Sequence, residues 1–173
     1  MKKFIPLLCL IFLYAGSASA IELYGEMNVA HLFTKVDEEE FNPSAIEARL
    51  GAYLEPQVGL ELYLGTGVVD DTHLDIDMSL STIAGVNLRF ESPESDGMKI
   101  FILLGYGMSE WDLVRSNTGE PGKVDFDDVN YGAGFEWRLG KSKHWFVNLR
   151  GQRFLNKDDL SLDTGSLGVR YVF

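Results

Sequence analysis

The segment from His73 to Phe90 alternates with a period of two. Leu74, Ile76, Met78, Leu80, Thr82, Ala84, Val86, Leu88 and Phe90 fall on one face, opposite His73, Asp75, Asp77, Ser79, Ser81, Ile83, Gly85, Asn87 and Arg89. A helix repeats every 3.6 residues and cannot produce this pattern, whereas a strand sends successive side chains to opposite sides of a sheet. One side of this strand is set for an apolar medium and the other for a polar one.

The same rhythm marks seven further segments. A strand over about Ile21–Phe33 sets Leu23, Gly25, Met27, Val29, His31 and Phe33 against Glu22, Tyr24, Glu26 and Asn28. Strands follow over about Ala45–Leu54 and Gly59–Val68, then, beyond His73–Phe90, over Met98–Glu110, Asp128–Leu139, His144–Phe154 and Leu160–Phe173. In His144–Phe154 the apolar Phe146 and Phe154 share a face with Asn148, Arg150 and Gln152. Eight is an even number, as single-chain bacterial barrels require, and their short turns face the periplasm while longer loops face outward. The short links Glu55–Val58, Glu91–Gly97 and Gly140–Lys143 alternate with Thr34–Ser44, Val69–Thr72, Asp112–Asp127 and Leu155–Asp159. Pro56 and Pro93 fall in turns and Pro43 and Pro121 in loops, so each is predicted to spare a strand interior.

At the N-terminus Lys2 and Lys3 precede an apolar stretch from Phe4 to Tyr14, and Ala18-Ser19-Ala20 supplies the small residues that a signal peptidase needs. Residues 1–20 are therefore expected to be a cleaved signal peptide and residues 21–173 a single barrel domain. Cys9 lies in the removed segment, so the remaining chain has no disulfide and no thiolate metal site. That chain of 153 residues holds 13 basic and 26 acidic residues, a net charge of −13. Such an acidic balance excludes a nucleic-acid partner, whose phosphates demand a basic surface.

Period two alone also fits a secreted lipocalin-like barrel with an apolar cavity. Three features favour the opposite orientation. Aromatic residues flank the apolar face at both ends, with Phe90, Trp137, Trp145, Tyr171 and Phe173 toward the turns and Phe33, Tyr106 and Tyr131 toward the loops, as a membrane interface selects. The polar face is rich in small residues that fit a narrow lumen, and the first strand lacks the Gly-x-Trp signature of lipocalins. The fold class is thus an all-β, eight-stranded, antiparallel up-and-down transmembrane barrel. Its interior is expected to hold a charge network of Glu47, Arg49, Glu61, Arg89, Lys99, Glu136, Arg138, Arg150 and Arg170, because buried charges must be paired.

Glu47-Ala48-Arg49-Leu50-Gly51-Ala52-Tyr53 leading into Glu55-Pro56-Gln57, the run Asn130-Tyr131-Gly132-Ala133-Gly134-Phe135-Glu136 and the terminal Gly168-Val169-Arg170-Tyr171-Val172-Phe173 carry a resemblance. The chain resembles the OmpA-type eight-stranded outer-membrane β-barrel family. Ser166, Gly168, Tyr171 and Phe173 resemble the C-terminal signal that the barrel-assembly machinery recognises. The resemblance implies the outer membrane of a Gram-negative bacterium, contact with its lipid and lipopolysaccharide, and roles in adhesion, envelope integrity or host interaction. It carries over no catalytic residue and no cofactor.

Acidic residues crowd the predicted loops, among them Asp37-Glu38-Glu39-Glu40, Asp70 and Asp71, and Asp158 and Asp159. Oxygen ligands of this kind suit Ca²⁺ or Mg²⁺, but a solvated loop surface explains them equally, and His73, Asp75 and Asp77 on one face are read as strand-end polar residues. No metal site is assigned. Gly151-Gln152-Arg153-Phe154-Leu155-Asn156 distantly resembles a strand of the lipid A deacylases, which place a His two residues before a Ser; this chain has neither there. The expected function is accordingly a non-enzymatic barrel with acidic external loops for envelope structure or surface binding, the alternatives being a lipid A-modifying enzyme and a narrow channel.

Overall fold

The computed structural model describes residues 22–36, 39–73, 76–115, 121–154 and 160–173. The expected signal peptide lies outside them. Ten strands run β1 Leu23–Val36, β2 Glu39–Phe41, β3 Ser44–Glu55, β4 Val58–Val69, β5 Asp71–His73, β6 Ile76–Glu91, β7 Met98–Arg115, β8 Pro121–Arg138, β9 Trp145–Phe154 and β10 Leu160–Val172. Eight of them pair antiparallel with their neighbours in chain order, and β10 returns to β1 from Tyr24↔Val172 to Val36↔Leu160, closing the barrel. The short β2 and β5 add to β1 and β6 at the end with the longer connections. Closure leaves no exposed edge within the bilayer, where an unpaired backbone group would be costly.

The short turns are built from residues suited to them. Asp96 and Gly97, both at positive φ (52° and 80°), sit between the bridged Ser95 and Met98, the two-residue hairpin geometry that Asp-Gly favours. Gly140, at φ 59°, opens the next turn.

Through the lower barrel the faces follow the expected alternation. Met27, Leu50, Leu62, Leu64, Ile102, Leu104, Leu149 and Leu167 are exposed on the outside, with Trp137, Trp145 and Phe173 at the turn end and Phe33, Tyr106 and Tyr131 at the other. This is an apolar band between two aromatic belts, the pattern expected of a surface that faces lipid.

Two expectations need correction. The predicted loop Asp112–Asp127 is mostly strand: β7 and β8 continue to Arg115 and Pro121, pairing as far as Val114↔Pro121. The segment is rich in charge, which gives it the look of a loop, yet Trp111 is buried while Leu113, Val124 and Phe126 pack against the inner cluster. Pro121 is therefore the first residue of a strand, a position that needs no ladder donor. The second correction concerns His73–Phe90. A β-bulge between Leu80 and Thr82 shifts the phase, so Met78 and Leu80 face inward at 1% and 3% exposure, while Leu88 and Phe90 face outward. One extra residue at a bulge reverses every side chain beyond it.

Candidate functional site

The lumen is stratified. At the turn end Tyr24, Tyr53, Phe146 and Val172 form an aromatic floor. At the opposite end Leu32, Phe41, Met78, Leu80, Ile83, Trp111, Phe154 and Leu162 form an apolar roof. Phe146 and Phe154, which break the polarity of their strand, belong to these two layers.

Between floor and roof lies the charge network. Glu61 accepts from Arg49 Nη1 at 2.8 Å, from Arg150 Nη1 at 2.7 Å and from the Tyr24 hydroxyl at 3.1 Å. Arg49 Nη2 also reaches Glu47 at 2.6 Å, and Arg150 Nη2 reaches Glu26 at 2.7 Å. Arg89 joins Glu91 at 2.6 Å and Glu136 at 2.7 Å, with its guanidinium 3.7 Å above the Phe101 ring. Arg170 bonds Glu136 and, at 2.9 Å, Glu91, which takes Lys99 Nζ at the same distance.

One residue of this network, Glu91, was missing from the sequence expectation, and Glu26 stood there as an acid of the polar face. Glu91 falls one residue past the expected strand end at Phe90. Arg138 requires the opposite correction. It sits at the turn end, a third exposed, and pairs with Glu94 outside the network, because β8 ends there and a long side chain can reach the rim.

Five carboxylates, Glu26, Glu47, Glu61, Glu91 and Glu136, thus face five cations, Arg49, Arg89, Lys99, Arg150 and Arg170. The lumen is electrically neutral. Setting these aside leaves 21 acidic and 8 basic residues in the chain after Ala20. Glu22, Glu55, Glu94 and Asp96 with Arg138, Lys141 and Lys143 belong to the turn end, so 17 acidic and 5 basic residues belong by sequence to the other. The surplus negative charge is concentrated there.

Beyond the belt marked by Tyr106 and Tyr131, parts of β6, β7 and β8 continue as a three-stranded sheet. Its inner face carries Met78, Leu80 and Trp111, and its outer face is polar: the Ser81 hydroxyl donates to Asp112, whose carboxylate also meets Lys123 at 3.5 Å, and the Tyr106 hydroxyl donates to Asp127. The loop acids Asp37, Glu38, Asp158 and Asp159, and the side chains of His73, Asp75 and Asp77, lie outside the described residues.

Of the terminal residues singled out in the sequence, Ser166 and Gly168 face the lumen. A Cβ on Gly168 would overlap the Asn28 carboxamide and approach Met27 O to 2.7 Å. Tyr171 and Phe173 lie outside, with ring centroids 5.2 Å apart, and Tyr171 packs on Trp145 at 4.8 Å. Strand pairing also sets His31 opposite Ser44 on the outer face, with Nδ1 and Oγ 3.1 Å apart, a pair that sequence spacing does not reveal.

A family model described as the outer membrane protein beta-barrel domain matches residues 5–173. The chain belongs to this family. Outer membrane beta-barrel domains share the closed antiparallel architecture seen here, and the location is the Gram-negative outer membrane. Among solved structures the chain is similar to Ail, the attachment invasion locus protein of Yersinia pestis, in complex with the heparin analogue sucrose octasulfate, at a TM-score of 0.66 and 17% identity over 90% of this chain and 100% of that one. Neisserial surface protein A matches at 0.67 and 9% over 87% and 97%, and the outer membrane protein OprG of Pseudomonas aeruginosa at 0.63 and 14% over 89% and 96%. At such identities these beta-barrel domains share the fold. No curated protein sequence matches significantly.

Proposed function

We propose that the protein is a non-enzymatic surface protein, held in outer-membrane lipid beside lipopolysaccharide by its apolar band, whose acidic external sheet and loops bind partners or support the envelope. One observation carries this reading: charge is compensated in the lumen and left uncompensated at the external end. A sealed, neutral interior serves as a rigid anchor, and the external field is where recognition resides. That Ail is by name an attachment invasion locus protein agrees with this assignment. Ser166, Gly168, Tyr171 and Phe173 are proposed as the segment handled by the barrel-assembly machinery during insertion.

The test replaces Glu110, Asp112, Asp125 and Asp127 with their amides and compares cells carrying equal amounts of heat-modifiable barrel. Loss of surface adherence or of resistance to detergents supports the reading. Unchanged adherence and resistance, also in cells lacking the protein, would remove it.

The His31–Ser44 pair favours a second reading, hydrolysis of a lipid ester by a serine whose proton passes to the imidazole. Among the described residues no carboxylate orients that imidazole, which places this reading behind the first. A lipid A mass profile unchanged by the protein excludes it; a shift abolished by Ser44→Ala establishes it.

A further inference from the structure

β8 extends from Pro121 to Arg138, but β9 pairs with it only from Asn130 onward. Because β7 covers the other side as far as Pro121, the stretch from Pro121 to Val129 is a sheet edge, unpaired among the described residues and outside the lipid band.

The direction of the edge groups follows from parity. Arg138 N bonds to Gly97 O on the β7 side, and Leu139 N bonds to Trp145 O on the β9 side. The register between β7 and β8 runs without a shift, so odd-numbered residues direct their N–H and C=O away from β7 along the whole strand. Val129 N–H is already held by Asp128 Oδ1 at 2.7 Å. Lys123, Asp125 and Asp127 therefore direct their backbone groups to the side away from β7, where they have no partner among the described residues. Pro121 occupies an odd position, where its missing N–H costs no ladder bond.

Exposed edges invite strand addition, and proteins guard them with charge. Here Asp125 and Asp127 are exposed beside Asp128, with Lys123 drawn toward Asp112. This repels a second copy of the same acidic edge and attracts a cationic chain. We infer that the β8 edge from Lys123 to Asp127 binds an extended polypeptide with basic residues at alternate positions, by antiparallel strand addition. The inference rests on the surface-binding reading and names its mode and partner class. Main-chain bonds give the affinity, and the carboxylates select the charge.

The experiment uses the full barrel in lipid nanodiscs and a synthetic peptide alternating lysine and threonine. Hydrogen exchange at the Lys123, Asp125 and Asp127 amides is expected to slow on peptide addition. Asp125→Pro removes an edge donor without touching the β7 ladder and should weaken binding about tenfold or more relative to Asp125→Asn, which removes the charge alone. Heat-modifiable mobility verifies that both variants fold. Equal affinities of the two variants, or undiminished binding of a peptide N-methylated at alternate residues, would overturn strand addition while leaving surface binding by side chains intact. Absence of any lysine-peptide binding to the wild type overturns the strand-addition site and counts against the surface-binding reading as well.

Discussion

Glu61 accepts from Tyr24, Arg49, Asn87 and Arg150 in a space that admits no water shell, so its charge is affordable only while they remain. Glu61→Gln leaves Arg49 with Glu47 and Arg150 with Glu26 but the lumen one carboxylate short, and removing one side of a buried pair costs about 3–5 kcal/mol. Unfolding by urea in lipid vesicles should show a loss of that order. Gly168 is constrained by space. With Asn28 and the Met27 carbonyl over it, Gly168→Ala should destabilise by about 1–3 kcal/mol, with part of the loss recovered by also changing Asn28 to Ala. The boiled-versus-unboiled mobility shift, followed with temperature, measures both. Asp112, on the external sheet, has its carboxyl held below the usual carboxylate range by the Ser81 hydroxyl, aided by Lys123. A depressed acid stabilises the fold above its unfolded value and loses that contribution as pH falls through the folded one. Ser81→Ala should move the Asp112 titration upward, as carbon-detected NMR would read; an unmoved titration removes the hydroxyl's role.

At the scale of elements, the organising fact is that polarity inverts at the external aromatic belt. Below it lipid lies outside, and apolar side chains turn outward. Above it water lies outside, and apolar side chains turn in beneath the sheet of β6, β7 and β8. In β6 the bulge at Ser81 makes the inversion. Removing Ser81 should return Met78 and Leu80 to the outer face and expose Trp111, giving a red-shifted tryptophan emission and protease cleavage within the hairpin. This inversion also separates what the sequence discloses from what it hides. The lipid-spanning parts were legible because a bilayer on one side and a packed lumen on the other impose a strict period of two. The continued strands above the belt were not, because Glu110, Asp112, Lys123 and Asp125 read as loop chemistry when their inward neighbours Trp111, Leu113, Val124 and Phe126 are read apart from them. A bulge cannot be located from alternation when, as at Leu80 to Ile83, small and apolar residues occupy both phases. Lumen partners were legible as a set and not as pairs, since register alone brings Arg150 to Glu26 or His31 to Ser44.

For the whole molecule, the aromatic floor and apolar roof close both ends of a neutral interior. Planar bilayers containing the protein should show no stepwise conductance; discrete openings would revive the channel alternative. The acid surplus at one end makes the molecule strongly polar along its axis, so its contacts with charged partners should weaken with salt over the range that shortens the Debye length to about 10 Å and below.

Some ion pairs of the lumen join segments far apart in the chain: Arg150 on β9 meets Glu26 on β1, and Arg170 on β10 meets Glu136 on β8. None of these can be completed by a hairpin alone. A half-assembled sheet can already pair Arg49 with Glu47 and Glu61, and Glu91 with Arg89 and Lys99, but Arg150 meets Glu26 only when the first and last strands join. The step that zips the seam therefore also satisfies the last buried charges of the lumen, so opening the seam again would uncover Arg150 and Glu26 together.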